Sequence, residues 1–154
     1  MGIAVAIAAQ KKNLIIDTDL FSDVDNFTEP VSPDKIRHGG SLLAVNINHH
    51  PFIYSTLAAS AILAHYGHPK ILIGIRRPLT NATFFDCWYF ALGEYASKGY
   101  AEDPSDPADP VALYQKVLSE AKDGSVTIAS IGFLDNLPGL LNSTADSYSP
   151  LNGR

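Results

Sequence analysis

Short apolar runs that break off into polar clusters organise this chain. Leu14, Ile15 and Ile16 form the first, with acidic and polar residues directly after it. A brief continuous apolar run between turn formers suits a strand covered on both faces. SLLAVNIN at 41–48 reads as a second strand, ILIGI at 71–75 as a third and VTIASIG at 126–132 as a fourth. Elsewhere the apolar spacing becomes helical. Leu57, Ala58, Ala61, Ile62 and Ala64 share one helix face within 51–67, and Gly67 ends that helix. Residues 84–98 predict a second helix, aromatic on one face. Residues 111–121 predict a third, with Pro110 near its start. A short helical segment is expected at 134–141, although Pro138 and Gly139 oppose it. Periodicity is lost in the loop at 27–40, in the acidic, proline-rich surface loop at 100–110 and in the polar tail at 142–154.

Strands alternating with helices predict an α/β fold, an open and mainly parallel sheet with flanking helices. One domain over 13–154 accommodates every element, and the sequence has no internal repeat. The run NLIID is apolar enough for the first strand to lie centrally. Two features are abnormal for such a fold. A parallel crossover usually contains a helix, yet 27–40 shows none. The chain also stops soon after its fourth strand, which predicts a bare sheet edge.

Composition narrows the class. The 154 residues are 46% hydrophobic and 18% charged, as in a globular domain. A net charge of −5 without a basic run argues against nucleic acid as a partner. No apolar stretch approaches the roughly 20 residues of a membrane span. The single cysteine, Cys87, excludes an internal disulfide. Within FFDCWYF it reads as a small buried hydrophobe. Residues 1–12 resemble the remnant of a signal peptide, with a small-x-small pattern at Ala6 and Ala8 but no basic leader. Sequons at Asn26, Asn81 and Asn142 permit glycosylation. These features favour secretion over the cytoplasm without deciding it.

The candidate chemistry lies just past the first strand. Asp17, Asp19, Asp23 and Asp25 fall within NLIIDTDLFSDVDN. Open α/β sheets place their ligand sites at strand C-terminal ends. Acids this close repel one another unless a cation or a hydrogen-bonded ligand compensates, and a hard cation such as Ca²⁺ or Mg²⁺ suits oxygen donors. The competing reading is structural, since aspartate is common in turns and helix caps.

DTDLFSDVDN resembles the opening DTDxGxDDA-type motif of the inosine–uridine-preferring nucleoside hydrolase family. The likeness extends to LLAVNIN, to STLAASAILAHYGHPKILIGIRRPL with its G-x-x-x-P-L turn from Gly74 to Leu79, and to VTIASIGFLDNLPGLL. The last is similar to a GPLTNLA-type segment, with Gly132 and Asn136 in place. FSDVD and FFDCWYF suggest a divergent branch of the kind found in fungi. The resemblance implies a Rossmann-like N-terminal half and a Ca²⁺-dependent nucleoside N-ribohydrolase. Such an enzyme cleaves the N-glycosidic bond of a ribonucleoside to ribose and base. It implies Asp17 and Asp19 at the metal, with Asp19 also the catalytic base. Asp25 would bind ribose hydroxyls, and the Asp135 backbone carbonyl would meet the metal. Asn26 stands where the family carries a calcium-binding aspartate. In the family an asparagine after the second strand contacts ligand. Asn46 and Asn48 both end that strand here, and Asn48 is assigned the role.

The departures imply weakened function. Asn26 brings no charge to a Ca²⁺ site. The loop at 27–40 replaces the helix expected after the motif. The chain ends before the family's C-terminal half, which supplies the remaining metal-ligand aspartate and the groups that read ribose and base. The expectation is therefore an impaired hydrolase, or a non-catalytic homologue that binds a ribonucleoside or another ribose-containing small molecule weakly. Homo-oligomerisation is left open. A third reading is a haloacid-dehalogenase-like phosphohydrolase, because LIIDTD also resembles that family's strand-borne DxD nucleophile. His49 and His50 follow the second strand and read as solvated loop residues.

Overall fold

The computed structural model of the chain describes residues 13–20, 40–48, 51–80, 107–150 and 152–153. Its elements are β1 (Asn13–Thr18), β2 (Leu42–Ile47), α1 (Ile53–His65), β3 (Leu72–Ile75), α2 (Pro110–Ser119), β4 (Val126–Ser130) and α3 (Asn136–Leu141). The four strands form one sheet in the order β3-β2-β1-β4, and every pairing is parallel. β1 therefore lies inside the sheet, as its apolar run predicts.

Both faces of β1 and β2 are covered, which is why these strands read as continuous apolar runs. On one face Ile16, Val45, Ile47, Ile73 and Ile75 pack with Ala58, Ala59 and Leu63 of α1. On the other, Ile15 and Ala44 pack with Leu113, Tyr114 and Val117 of α2. Alternate residues of β1 thus serve opposite cores. Each fully buried isoleucine is worth about 1.5–3 kcal/mol over its exposed state.

The helices follow local rules at their ends. Asp109 caps α2: its carboxylate accepts from the backbone N–H of Val111 at 2.9 Å and of Ala112 at 3.2 Å, with Pro110 in the first turn. α1 ends at Gly67, whose φ of +83° suits glycine and lets the His68 N–H reach the Leu63 carbonyl at 2.8 Å. α3 forms despite Pro138. The proline falls in the first turn, where its missing N–H has no helical partner to lose.

The loop predicted at 100–110 is not wholly a surface feature. Ala108 forms a one-residue parallel bridge with Gly74, donating to the Ile73 carbonyl at 3.2 Å and accepting from Ile75 at 2.9 Å. Pro107 beside it is buried. This bridge partly covers the β3 edge. Among the described residues no strand pairs with the outer side of β4. The tail at 142–150 contains no helix or strand. The helix predicted at 84–98, Cys87, residues 1–12 and most of the loop at 27–40 lie outside the described residues. No helix among those described is long and apolar enough to cross a membrane.

Candidate functional site

From β1 the chain moves outward through β2 to β3, then returns to the opposite side of β1 as β4. That reversal makes the C-terminal ends of β1 and β4 a switch point, and open α/β sheets bind ligands in the crevice at such a point. The first acidic residues lead directly into it.

Register aligns a polar row across the sheet. Asp17 pairs with Asn46 on one side and Ser130 on the other, and Asn46 pairs with Gly74. Paired residues on parallel strands share a face, here the one under α2. Asp17 is fully buried. Its Oδ1 accepts from the side-chain amides of Asn48 at 2.5 Å and Asn136 at 3.4 Å, and its Oδ2 accepts from the Tyr114 hydroxyl at 2.5 Å. The Asn48 amide also donates to the Phe133 carbonyl at 2.5 Å. Burial pushes the Asp17 carboxyl above its ordinary value; the three hydrogen bonds oppose that shift and the Asp135 charge adds to it. Burial, the hydrogen bond to Asp17 and its charge raise the Tyr114 hydroxyl well above its usual range, so Tyr114 remains a donor.

The backbone closes the same junction. Ile131 N–H donates to the Asp17 carbonyl at 2.8 Å, and Asn48 N–H to the Thr18 carbonyl at 2.9 Å. The Thr18 hydroxyl accepts from Leu20 N–H at 3.0 Å. Leu20 is buried with a φ of +52°, a left-handed backbone that costs a leucine about 1–2 kcal/mol. The extended backbone of β1 thus gives way to a left-handed residue just after Asp19. Gly132 lies against that point. A Cβ on it would collide with the Asp19 nitrogen and come within 2.9 Å of the Asp19 Cγ.

Three buried acceptors in this region have no hydrogen-bond partner: Asn46 Oδ1, Asn48 Oδ1 and Ser130 Oγ. The Asn46 amide donates to the Pro110 carbonyl at 3.3 Å, and its oxygen rests against Gly74. Asp135 is half-exposed, and its carboxylate meets the Arg76 guanidinium at 3.5 Å instead of capping α3. Arg76 follows β3 and Asp135 follows β4, so this pair reaches across the ends of β2 and β1.

Of the residues singled out from sequence, Asp17, Asp19, Asn48 and Asp135 converge on this crevice. Asp17, expected at a metal, directs its oxygens into the amide and hydroxyl donors beneath α2 and α3. Asp25, Asn26, His49 and His50 lie outside the described residues. Among those described, no group of three or more His, Cys, Asp or Glu side chains is placed to hold a metal. The sequence pattern singles out neither Tyr114 nor the Phe133 carbonyl, and it offers Asn46 only as the alternative to Asn48. Tyr114 carried a usable signal: a tyrosine between Leu113 and Val117 on a core-facing helix needs a partner for its hydroxyl. No protein-family model and no curated protein matches this chain.

Proposed function

We propose that the crevice between β1 and β4 belongs to a Ca²⁺-dependent nucleoside N-ribohydrolase, which separates a ribonucleoside into ribose and base. The observation that carries this reading is the oxygen-rich junction itself. Asp19 sits against Gly132 at the switch point, beside the buried Asn48 with its unpartnered amide oxygen. Carboxylates, amide oxygens and carbonyls suit a hard cation or the hydroxyls of a sugar. The groups that would hold Ca²⁺ are Asp19 and the Asp135 carbonyl, together with Asn26 outside the described residues. Bound there, Ca²⁺ supplies positive charge that anchors the ribose hydroxyls and polarises a water.

The chain's own residues divide the remaining work. Asp19 takes the proton from the attacking water. Its negative charge also stabilises the oxocarbenium character that develops on ribose as the glycosidic bond lengthens. The Asn48 side chain is buried and works at one remove, holding the Phe133 carbonyl and Asp17 together. Asp17 stays behind the reacting atoms and holds the crevice together through Asn48, Asn136 and Tyr114. Its complete burial disfavours the phosphohydrolase reading, in which the strand-borne aspartate must reach a phosphoryl group as nucleophile. A binding-only role is the second reading, favoured by the engagement of the Asp17 carboxylate with Asn48, Asn136 and Tyr114.

Incubation with inosine and Ca²⁺, followed by a reducing-sugar assay, tests the proposal. Slow ribose release is expected that requires Ca²⁺ and disappears in Asp19→Ala while the variant stays folded. Release that persists in Asp19→Ala, or no release at any Ca²⁺ concentration, would overturn it. Ca²⁺-dependent nucleoside binding without release would support the binding-only role.

A further inference from the structure

We infer that Asn48 is a positioning residue: its one amide nitrogen sets the separation of β1 and the loop that follows β4. The inference deepens the proposed reading and rests on Asp19 as the working acid of the site.

An asparagine amide carries two N–H donors. Here the nitrogen of Asn48 meets two acceptors from different elements, the Asp17 carboxylate of β1 and the Phe133 carbonyl of the loop after β4. The base of the side chain is fixed as well, because Asn48 N–H is held by the Thr18 carbonyl at 2.9 Å. Side-chain length therefore determines how near the Phe133 backbone comes to Asp17. Gly132, the preceding residue, is pressed onto Asp19 with no space for a Cβ. The chain of contacts runs from Asn48 to Phe133, then to Gly132 and Asp19. Asn48 is 1% exposed, so water does not readily substitute for it.

Other side chains fail for definite reasons. Glutamine is one methylene too long. Serine offers a single donor on a shorter arm. Aspartate presents acceptors to acceptors, except when protonated. Glutamine provides the test that loss of packing alone does not imitate, because it keeps both donors and changes only the length of the arm.

The experiment compares the ¹⁵N-labelled wild-type chain, Asn48→Ala and Asn48→Gln by amide NMR and hydrogen exchange. In Asn48→Ala the Gly132 and Asp19 cross-peaks should move. Exchange at Ile131, whose N–H is bound to the Asp17 carbonyl, should accelerate roughly tenfold to a hundredfold relative to Ile16 in the core. Asn48→Gln should move the Gly132 and Asp19 cross-peaks as well, while the rest of the spectrum stays that of the folded wild type. If Asn48→Ala does not fold, Asn48→Gln alone decides. Unmoved Gly132 and Asp19 signals in the folded variants overturn the inference. These signals do not depend on catalysis, so a chain that shows them without releasing ribose refutes the hydrolase reading and leaves the positioning role established.

Discussion

Replacing Gly74 with alanine tests how tightly the polar row is built. Gly74 pairs with Asn46 across β3 and β2. A Cβ at Gly74 would collide with the Asn46 side-chain oxygen and stand 3.1 Å from Leu113 Cδ2. Neither neighbour yields easily. Asn46 is fully buried and its amide is tied to the Pro110 carbonyl, while Leu113 is locked in the α2 core. Overpacking of this kind costs about 1–3 kcal/mol. For a domain of this size a loss of ~1 kcal/mol lowers the melting temperature by about 2–4 °C. Asn46→Ala should cost about 1–2 kcal/mol by itself, because it strands the Pro110 carbonyl. Together the two changes should cost less than their sum, since the shortened Asn46 vacates the space the new methyl needs. Urea unfolding of wild type, both single variants and the double variant measures the coupling. A double variant additive to within ~0.5 kcal/mol would refute the reasoning, because residues in direct collision cannot act independently.

Further outcomes follow from the same contacts. Asp17→Asn should improve relative to wild type as pH rises. Burial holds the Asp17 carboxyl above its ordinary 3.8, so the folded state binds the proton more tightly and wild-type stability falls as pH climbs through the folded value. Urea midpoints from acidic to neutral pH measure this, and a constant difference between the two proteins would contradict it. Gly132→Ala should displace the Asp19 turn and abolish any Ca²⁺ binding seen by calorimetry in wild type, because the atom struck first belongs to the backbone; unchanged affinity would show that this contact does not shape the site. Asp109→Ala should destabilise the fold by about 0.5–2 kcal/mol through loss of the α2 cap, read as a lower thermal midpoint, with no effect on the pH dependence due to Asp17.

The strands and described helices were legible because each obeys a local rule. β1 is apolar on consecutive positions since Ile15 and Ile16 enter opposite cores. α1 was found from Leu57, Ala58 and Ala61, although its burial is wider than that stripe suggests: Ser55, Thr56 and Ser60 are buried too. Small residues permit that close packing without creating a strong apolar face. α3 was legible despite Pro138, whose effect depends on its distance from the helix start and not on its presence. The Ala108 bridge was hidden, because a single parallel bridge at an edge leaves no periodic trace.

The site was legible only as far as chain order could carry it. Four acids after an apolar strand indicate an edge, but they do not show which acids point into the fold. That depends on register. Asp17 is opposite Asn46 and Ser130 and therefore lies beneath α2; Asp19, beyond the end of the strand, meets the β4 turn. The donors that satisfy Asp17 come from positions 48, 114 and 136, far apart in sequence and all polar enough to suit exposed positions. Their burial follows from the acid they serve. A carboxylate inside a parallel sheet is tolerable only with several donors around it, and those donors must come from whichever elements converge there. The switch point supplies them, because β1, β2, α2 and the β4 turn all reach it. The same convergence that makes Asp17 tolerable brings Asp19 against Gly132, so the buried acid and the acid at the crevice depend on one arrangement of loops.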